Sequence, residues 1–245
     1  MSGHSKWSTI KRKKGAADAK RSKIFSRIVK EIHVAVKEGG PDEESNPRLR
    51  LAMQNAKGAN MPKDNITRAI NKASSDAGNY QEVSFEGYGP NGVAIFVDCL
   101  TDNNNRTVSG IRAIFNKYGG SLGTNGSLSF IFDRKGVITV PKGDLDPDEF
   151  QLSIIDAGVE ECELEGDVFI ITTPLEDFGN VRKHLDEMGI TPENAELQRI
   201  PNNTKDLSPE EAMKVMKMID AFEDDDDVQY VYHNMEMTEE IMAAL

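Results

Sequence analysis

The sequence predicts a multi-domain α+β protein. An N-terminal three-helix domain is followed by two α/β domains, the last one ferredoxin-like and inserted into the middle one. Three observations carry this expectation. Apolar residues recur at helical spacing up to residue 75 and in short strand-like runs beyond it. The segment Ser74-Ser75-Asp76-Ala77-Gly78-Asn79 is small and polar, as a domain boundary is. The order of elements over 134–201 reads βαββαβ, the split pattern of ferredoxin-like domains.

The elements follow in order. Residues 1–15 make a basic arm with one aromatic, Trp7. Ile24, Phe25, Ile28, Val29, Ile32, Ala35 and Val36 then form one apolar helical stripe, which Gly39-Gly40-Pro41 ends. Asn46-Pro47 starts a second helix, with Asn as cap and Pro as first helical residue, and Gly58 closes it. Pro62 opens a third, with Ile66, Ala69, Ile70 and Ala73 inward. The domain is predicted over 1–76.

Beyond the linker, strands over Val83–Tyr88 and Val93–Leu100 flank the turn Gly89-Pro90-Asn91-Gly92. A helix over Asn105–Tyr118 and a strand over Ser127–Phe132 follow. Then come a strand (136–140), a helix (146–157), two strands (160–164 and 168–172), a helix (174–188) and a strand (195–200). The helix Ser208–Phe222 and strand Val228–Tyr232 have no core of their own. They are expected to return to the sheet begun at residue 83, giving domains 80–133 plus 202–245, with 134–201 inserted.

Charge distinguishes the two halves. The 245 residues carry a formal net charge of −12, and a chain-wide pI of about 4.9 argues against a polyanionic partner. Yet residues 1–75 hold 17 Lys+Arg against 7 Asp+Glu, and the remainder holds 12 against 34. Binding depends on the field within about a Debye length, so the local balance decides. The cations Lys6, Lys11, Arg12, Lys13, Lys14, Lys20, Arg21, Lys23, Arg27 and Lys30 suit the phosphate backbone of DNA or RNA, with Trp7 placed to stack on a base. Six phosphate contacts would give a log K against log salt slope of about −5. The alternative is a solubilising face with Trp7 packed on the domain. The short turn Gly58-Ala59-Asn60-Met61 permits a helix-turn-helix with Lys63, Asn65, Arg68 and Lys72 on its second helix, but a plain three-helix bundle is preferred. Lys57, Lys63, Arg68 and Lys72 remain secondary phosphate contacts in either case.

Elsewhere the chemistry is sparse. Asn105 and Arg106 open a helix after Asp102-Asn103-Asn104 and are candidates for an anion loop; side-chain capping is the plainer reading. The acidic run Glu223–Asp227 reads as a solvated loop before a cation site. The four histidines lack ligand spacing and no nucleophile elbow occurs, so no enzyme, metal, cofactor or small-molecule substrate is expected. The two cysteines, Cys99 and Cys162, sit in apolar strand-like runs, as buried thiols of a reducing compartment do. No apolar run approaches membrane-spanning length, and the start lacks the apolar stretch of a secretory signal. Cytoplasmic location follows as the expectation.

The residues also resemble a known family. Gly3-His4-Ser5-Lys6-Trp7, Asp18-Ala19-Lys20-Arg21, Lys23-Ile24-Phe25, Asn46-Pro47-Arg48-Leu49-Arg50 and Asn60-Met61-Pro62-Lys63-Asp64 are similar to the YebC family's N-terminal half. Glu86-Gly87-Tyr88-Gly89-Pro90, Asn105-Arg106-Thr107, Gly119-Gly120, Asp227-Val228-Gln229 and Val231-Tyr232-His233-Asn234 continue the match across the chain. The resemblance implies a three-domain cytoplasmic regulator, usually described as a DNA-binding transcriptional regulator. Some relatives, among them the mitochondrial translational activator of cytochrome oxidase subunit one, act on translation, and bacterial members have been linked to ribosomes stalled on proline-rich stretches. The runner-up expectation is therefore a ribosome-associated, RNA-binding translation factor using the same basic surface, with protein partners on the acidic domains. One position departs from the pattern: Asn104 stands where the family often carries a second arginine.

Overall fold

The computed structural model describes residues 18–75 and 80–244, and of 18–21 the backbone only. Contacts divide these residues into two compact units, one made of 18–75 with 134–199 and the other of 80–133 with 200–244.

The first unit begins with three helices, α1 (Asp18–Gly39), α2 (Pro47–Gly58) and α3 (Lys63–Ser75). Ile32, Ala35 and Val36 of α1, Leu49, Ala52 and Ala56 of α2, and Ile66, Ala69 and Ala73 of α3 close one core with Met61. α1 packs on both partners, whereas α2 and α3 touch little. The predicted stripe on α1 is therefore only partly used: Phe25 and Ile28 reach the core, but Ile24 and Val29 stay 43% and 37% exposed. At about 100° per residue these two lie on the flanks of the stripe, beyond the reach of the shorter helices. Asn46 is the hinge pin of the bundle. It is buried, its Oδ1 accepts from the Leu49 amide at 3.0 Å, and its Nδ2 donates to the carbonyls of Ala35 at 2.6 Å and Gly40 at 2.8 Å. One side chain thus caps α2 and terminates α1. Gly39 leaves it room, since a Cβ there would come within 2.7 Å of the Asn46 amide.

The same unit contains β4 (Phe132–Pro141), α5 (Pro147–Ile154), a 3-10 turn (Ile155–Ala157), β5 (Glu161–Glu165), β6 (Val168–Pro174), α6 (Phe178–Glu187) and β7 (Asn194–Pro201). The sheet runs β5-β6-β4-β7, with β6 antiparallel to both β4 and β5. Ile138, Val140, Phe169 and Ile171 turn one face to Phe150 and Ile154 of α5 and to Phe178, Val181 and Leu185 of α6. Leu51 of α2 joins this core. Asn55 of α2 pairs with the β7 backbone as a strand would: its Nδ2 donates to the Ala195 carbonyl and its Oδ1 accepts from the Ala195 amide, both at 2.9 Å. Gly58 lies so close that a Cβ would sit 1.8 Å from the Glu193 carbonyl oxygen.

The second unit holds β1 (Gln81–Tyr88), β2 (Ala94–Thr101), α4 (Asn104–Lys117), β3 (Ser121–Leu122), α7 (Pro209–Glu223), β8 (Val228–His233) and α8 (Glu239–Ala244). Its sheet runs β3-β1-β2-β8, and β8 lies antiparallel to β2 with Val97 opposite Val231. Ile95, Val97 and Cys99 face Ile111 and Phe115 of α4 and Val215, Ile219 and Phe222 of α7, where Phe115 and Phe222 meet edge-on at 5.0 Å. Ser208 and Glu211 form a capping box at the start of α7. The short helix α8 was not anticipated; its Ile241 joins this core.

The predicted strand over Ser127–Phe132 is corrected to a series of turns that becomes strand only at Phe132. Leu128 and Ile131 are both buried against Ala94, Phe96 and Tyr232, while Ser129 and Phe130 between them are exposed. That spacing of three is not the alternation of a strand. The buried Glu86 carboxylate holds the turns in place, accepting the amides of Gly126 at 2.8 Å and Leu128 at 2.6 Å.

Candidate nucleic-acid interface

Lys6, Trp7, Lys11, Arg12, Lys13 and Lys14 lie outside the described residues, as do the side chains of Lys20 and Arg21. The remaining cations of the sequence reading fall on α1, α2 and α3. Lys23, Arg27 and Lys30 are half-buried and stand opposite the α1 core stripe, because spacings of four and three keep them on one helical face. Lys57 ends α2 and is exposed. Lys63, Arg68 and Lys72 are exposed on α3, whose buried face carries Ile66, Ala69 and Ala73. Arg68 donates from Nε to the Asp64 carbonyl at 3.2 Å and from Nη2 to Asn65 Oδ1 at 3.0 Å, which holds its guanidinium along the helix.

Two further arginines of the helical segment make contacts within it. Arg48 bridges α2 to α1 through Glu31 at 3.2 Å and Glu38 at 2.9 Å. Arg50 donates to the carbonyls of Glu43 and Glu44. These two cations hold the bundle and its connecting loop.

The candidate anion loop has a different environment from the one expected. Asn103 caps α4, its Oδ1 accepting from the Arg106 amide at 3.1 Å. The Arg106 guanidinium meets Asp227 at 2.8 Å and Asp102 at 2.8 Å, and these two carboxylates raise its already high pKa. Asp227 also accepts from the hydroxyls of Thr101 at 3.1 Å and Thr107 at 2.8 Å, both buried. The charge that an anion would need is taken up by the protein's own carboxylates. The acidic run Glu223–Asp227 correspondingly ends in a buried structural group, and among the described residues no cluster of His, Cys, Asp and Glu is arranged to hold a metal ion. Asn105 is exposed and its carbonyl accepts from Ser109.

Cys99 is buried and Cys162 half-buried, both as free thiols; burial raises the Cys162 pKa to about 11, so its reactive thiolate is disfavoured. Among the described residues no helix is long and apolar enough to cross a membrane. Sequence reasoning missed three polar anchors: Asn55, Glu86 and Asp227. Glu86 and Asp227 carried a signal, for each is an acid inside or beside an apolar strand run, where an unpartnered carboxylate would be costly.

A helical segment with exposed cations, carried with two four-stranded α/β sheets, defines the class of a multidomain α+β protein with a basic helical face. The comparisons place it more closely. Residues 5–76 match the family model described as the TACO1/YebC protein N-terminal domain, and residues 80–235 match that of the TACO1/YebC second and third domain. The chain belongs to the TACO1/YebC family. It is 51% identical over 246 residues to a "Probable transcriptional regulatory protein" of Rubrobacter xylanophilus, covering 99% of this chain and 98% of that one. It is 54% identical over 239 residues to a protein of the same name from Amoebophilus asiaticus, covering 96% and 98%. Among solved structures, a conserved hypothetical protein of Aquifex aeolicus superposes with a TM-score of 0.81 at 43% identity, covering 91% of this chain and 93% of that one.

Proposed function

We propose that the chain is a nucleic-acid-binding regulator of gene expression, foremost a DNA-binding transcriptional regulator acting in the cytoplasm. The carrying observation is that Lys63, Arg68 and Lys72 on α3 are all exposed, outside the core face of Ile66, Ala69 and Ala73. Lysine and arginine on an exposed face attract phosphates by counterion release, irrespective of base sequence. The names of the bacterial relatives support the regulatory role. Lys57 and the α1 cations Lys20, Arg21, Lys23, Arg27 and Lys30 extend the proposed surface, with Lys6, Trp7 and Lys11–Lys14 as its arm. Asn105 and Arg106 are not part of it. In the same reading, 134–201 is a ferredoxin-like domain inserted between 80–133 and 202–245. The sheet order β5-β6-β4-β7 and the pairing of β8 with β2 support that division.

The test is a salt titration of binding with the full chain and with Lys63→Ala/Arg68→Ala/Lys72→Ala. If the three cations each contact a duplex phosphate, the log–log slope shallows by about 2.7 on every DNA sequence alike. An unchanged slope removes α3 from the interface. Stronger retention on ribosomes than on duplex DNA, lost in the same variant, would move the function from transcription to translation.

A further inference from the structure

We propose that Leu152, Ile155 and Met188 form a docking patch for a basic, amphipathic segment of a partner protein. Leu152 is 70% exposed, Ile155 56% and Met188 38%, and the first two are the most exposed aliphatic side chains among the described residues. They do not belong to the core beneath them. α5 already buries Phe150 and Ile154 on its inner face, so Leu152 and Ile155, three apart, project from the other side. Met188 caps α6 and lies against Ser153, the residue after Leu152: its sulfur is 3.9 Å from Ser153 Oγ, and His184 of α6 sits 2.9 Å from the Ser153 carbonyl oxygen. Exposed apolar side chains grouped at one end of a helix mark an interaction site more often than a scattered leucine does.

The charge around the patch selects its occupant. Asp148 and Glu149 precede Leu152 by four and three residues and Asp156 follows it by four, so all three border it on the helical surface, and all are exposed. No lysine or arginine occurs between Lys142 and Arg182, and Lys183 on α6 is paired with Glu187 at 3.6 Å. A second copy of the chain docked about a two-fold axis would set these carboxylates against their own counterparts. Nucleic acid and anionic lipid meet the same repulsion. A protein segment with apolar side chains in its centre and lysines or arginines at its rim matches both the patch and its border. This inference is independent of the nucleic-acid reading, because none of the proposed phosphate-binding cations lies in the patch.

The probe is a labelled helical peptide of leucine and lysine, with leucines at positions i, i+3, i+4 and i+7, titrated with the full chain by fluorescence anisotropy. Its counterpart carries glutamate in place of lysine. The lysine peptide should bind and the glutamate peptide should not. Leu152→Ser/Ile155→Ser should weaken binding about tenfold or more, as loss of a central apolar anchor does. Leu152→Ser alone should do so in part. Asp148→Asn/Asp156→Asn should weaken binding and flatten its salt dependence. Equal affinity of wild type and the Leu152/Ile155 variant, or equal binding of both peptides, overturns the proposal. Self-association of the wild type in sedimentation, abolished by the same variant, would overturn it in favour of a second copy.

Discussion

Asp227→Ala should destabilise the unit made of 80–133 and 200–244 by about 3–5 kcal/mol, the range for removing one partner from a buried charged network. The magnitude rests on what the carboxylate touches. It joins the end of β2 (Thr101), the first turn of α4 (Arg106 and Thr107) and the start of β8 in one cluster. Arg106 is 55% exposed at its side chain, so solvent replaces much of that contact, and it adds little to the expected loss. The weight falls on the two buried threonine hydroxyls, each bonded to a charged acceptor worth about 1.5–3 kcal/mol. Asp227→Asn, which keeps the shape but can accept fewer hydrogen bonds, should cost about half as much. The assay is urea unfolding of the full chain followed by far-UV circular dichroism, with Thr107→Val and the double variant completing a cycle. Coupling between the two sites should make the double variant less destabilised than the sum of the singles. A loss under about 0.5 kcal/mol for Asp227→Ala, or strict additivity in the cycle, would refute the view that this carboxylate organises the junction.

Three further outcomes follow from the other polar anchors. Glu86→Ala should release the turns over 123–131, seen as faster hydrogen exchange at the amides of Gly126 and Leu128, which the carboxylate now accepts; unchanged exchange there would show that the apolar contacts of Leu128 hold the turns unaided. Asn55→Ala should cost about 1–3 kcal/mol, from two backbone bonds to Ala195 at about 0.5–1.5 kcal/mol each, and the loss should appear as reduced protection of β7. Glu211→Gln should lower stability at neutral pH and not below the carboxylate range. The Ser208 amide and hydroxyl hold the Glu211 carboxyl below its ordinary value, so its contribution is complete above the unfolded-state pKa and disappears as pH falls through the lowered folded-state one. A wild-type to variant gap that persists in acid would contradict that account.

The parts of the fold that were legible in the sequence are those set by local chemistry. Asn46-Pro47 marked the start of α2, Gly39-Gly40-Pro41 the end of α1, and the near-continuous apolar run Val93–Leu100, bounded by Gly89-Pro90-Asn91-Gly92, marked a strand buried on both faces. The parts that were not legible depend on residues far away in the chain. Leu128 and Ile131 look like strand residues by composition, but the amides of Gly126 and Leu128 bond to the carboxylate of Glu86, some forty positions earlier, instead of to a neighbouring strand. Asn55 looks like an ordinary helical polar residue, and its role exists only because β7 passes beside it. Arg106 was expected to assist an anion and instead pairs with Asp102 and Asp227; the place of Asp227 beside the apolar strand 228–232 was its one signal within a run of five acids.

This distinction bears on how charge should be counted at a candidate interface. The surplus of cations in residues 1–75 treats every lysine and arginine as equivalent, but a helix assigns them to faces. Arg48 leaves the count because it is paired with Glu31 and Glu38, whereas Arg50 is exposed and its bonds to the loop carbonyls of Glu43 and Glu44 leave its charge in place. Lys63, Arg68 and Lys72 stay in it because the α3 core face is narrow and made of Ile66, Ala69 and Ala73, leaving the rest of that helix to solvent. Arg is the usual choice for bidentate phosphate contact, yet Arg48 on α2 is used for carboxylates within the fold, and the exposed positions are mostly lysine. Lysine meets a phosphate as a point charge without directional demand. In the proposed interface such a surface would hold a nucleic-acid backbone without reading its bases, so any sequence preference in binding would have to come from outside α3 or from the shape of the nucleic acid itself.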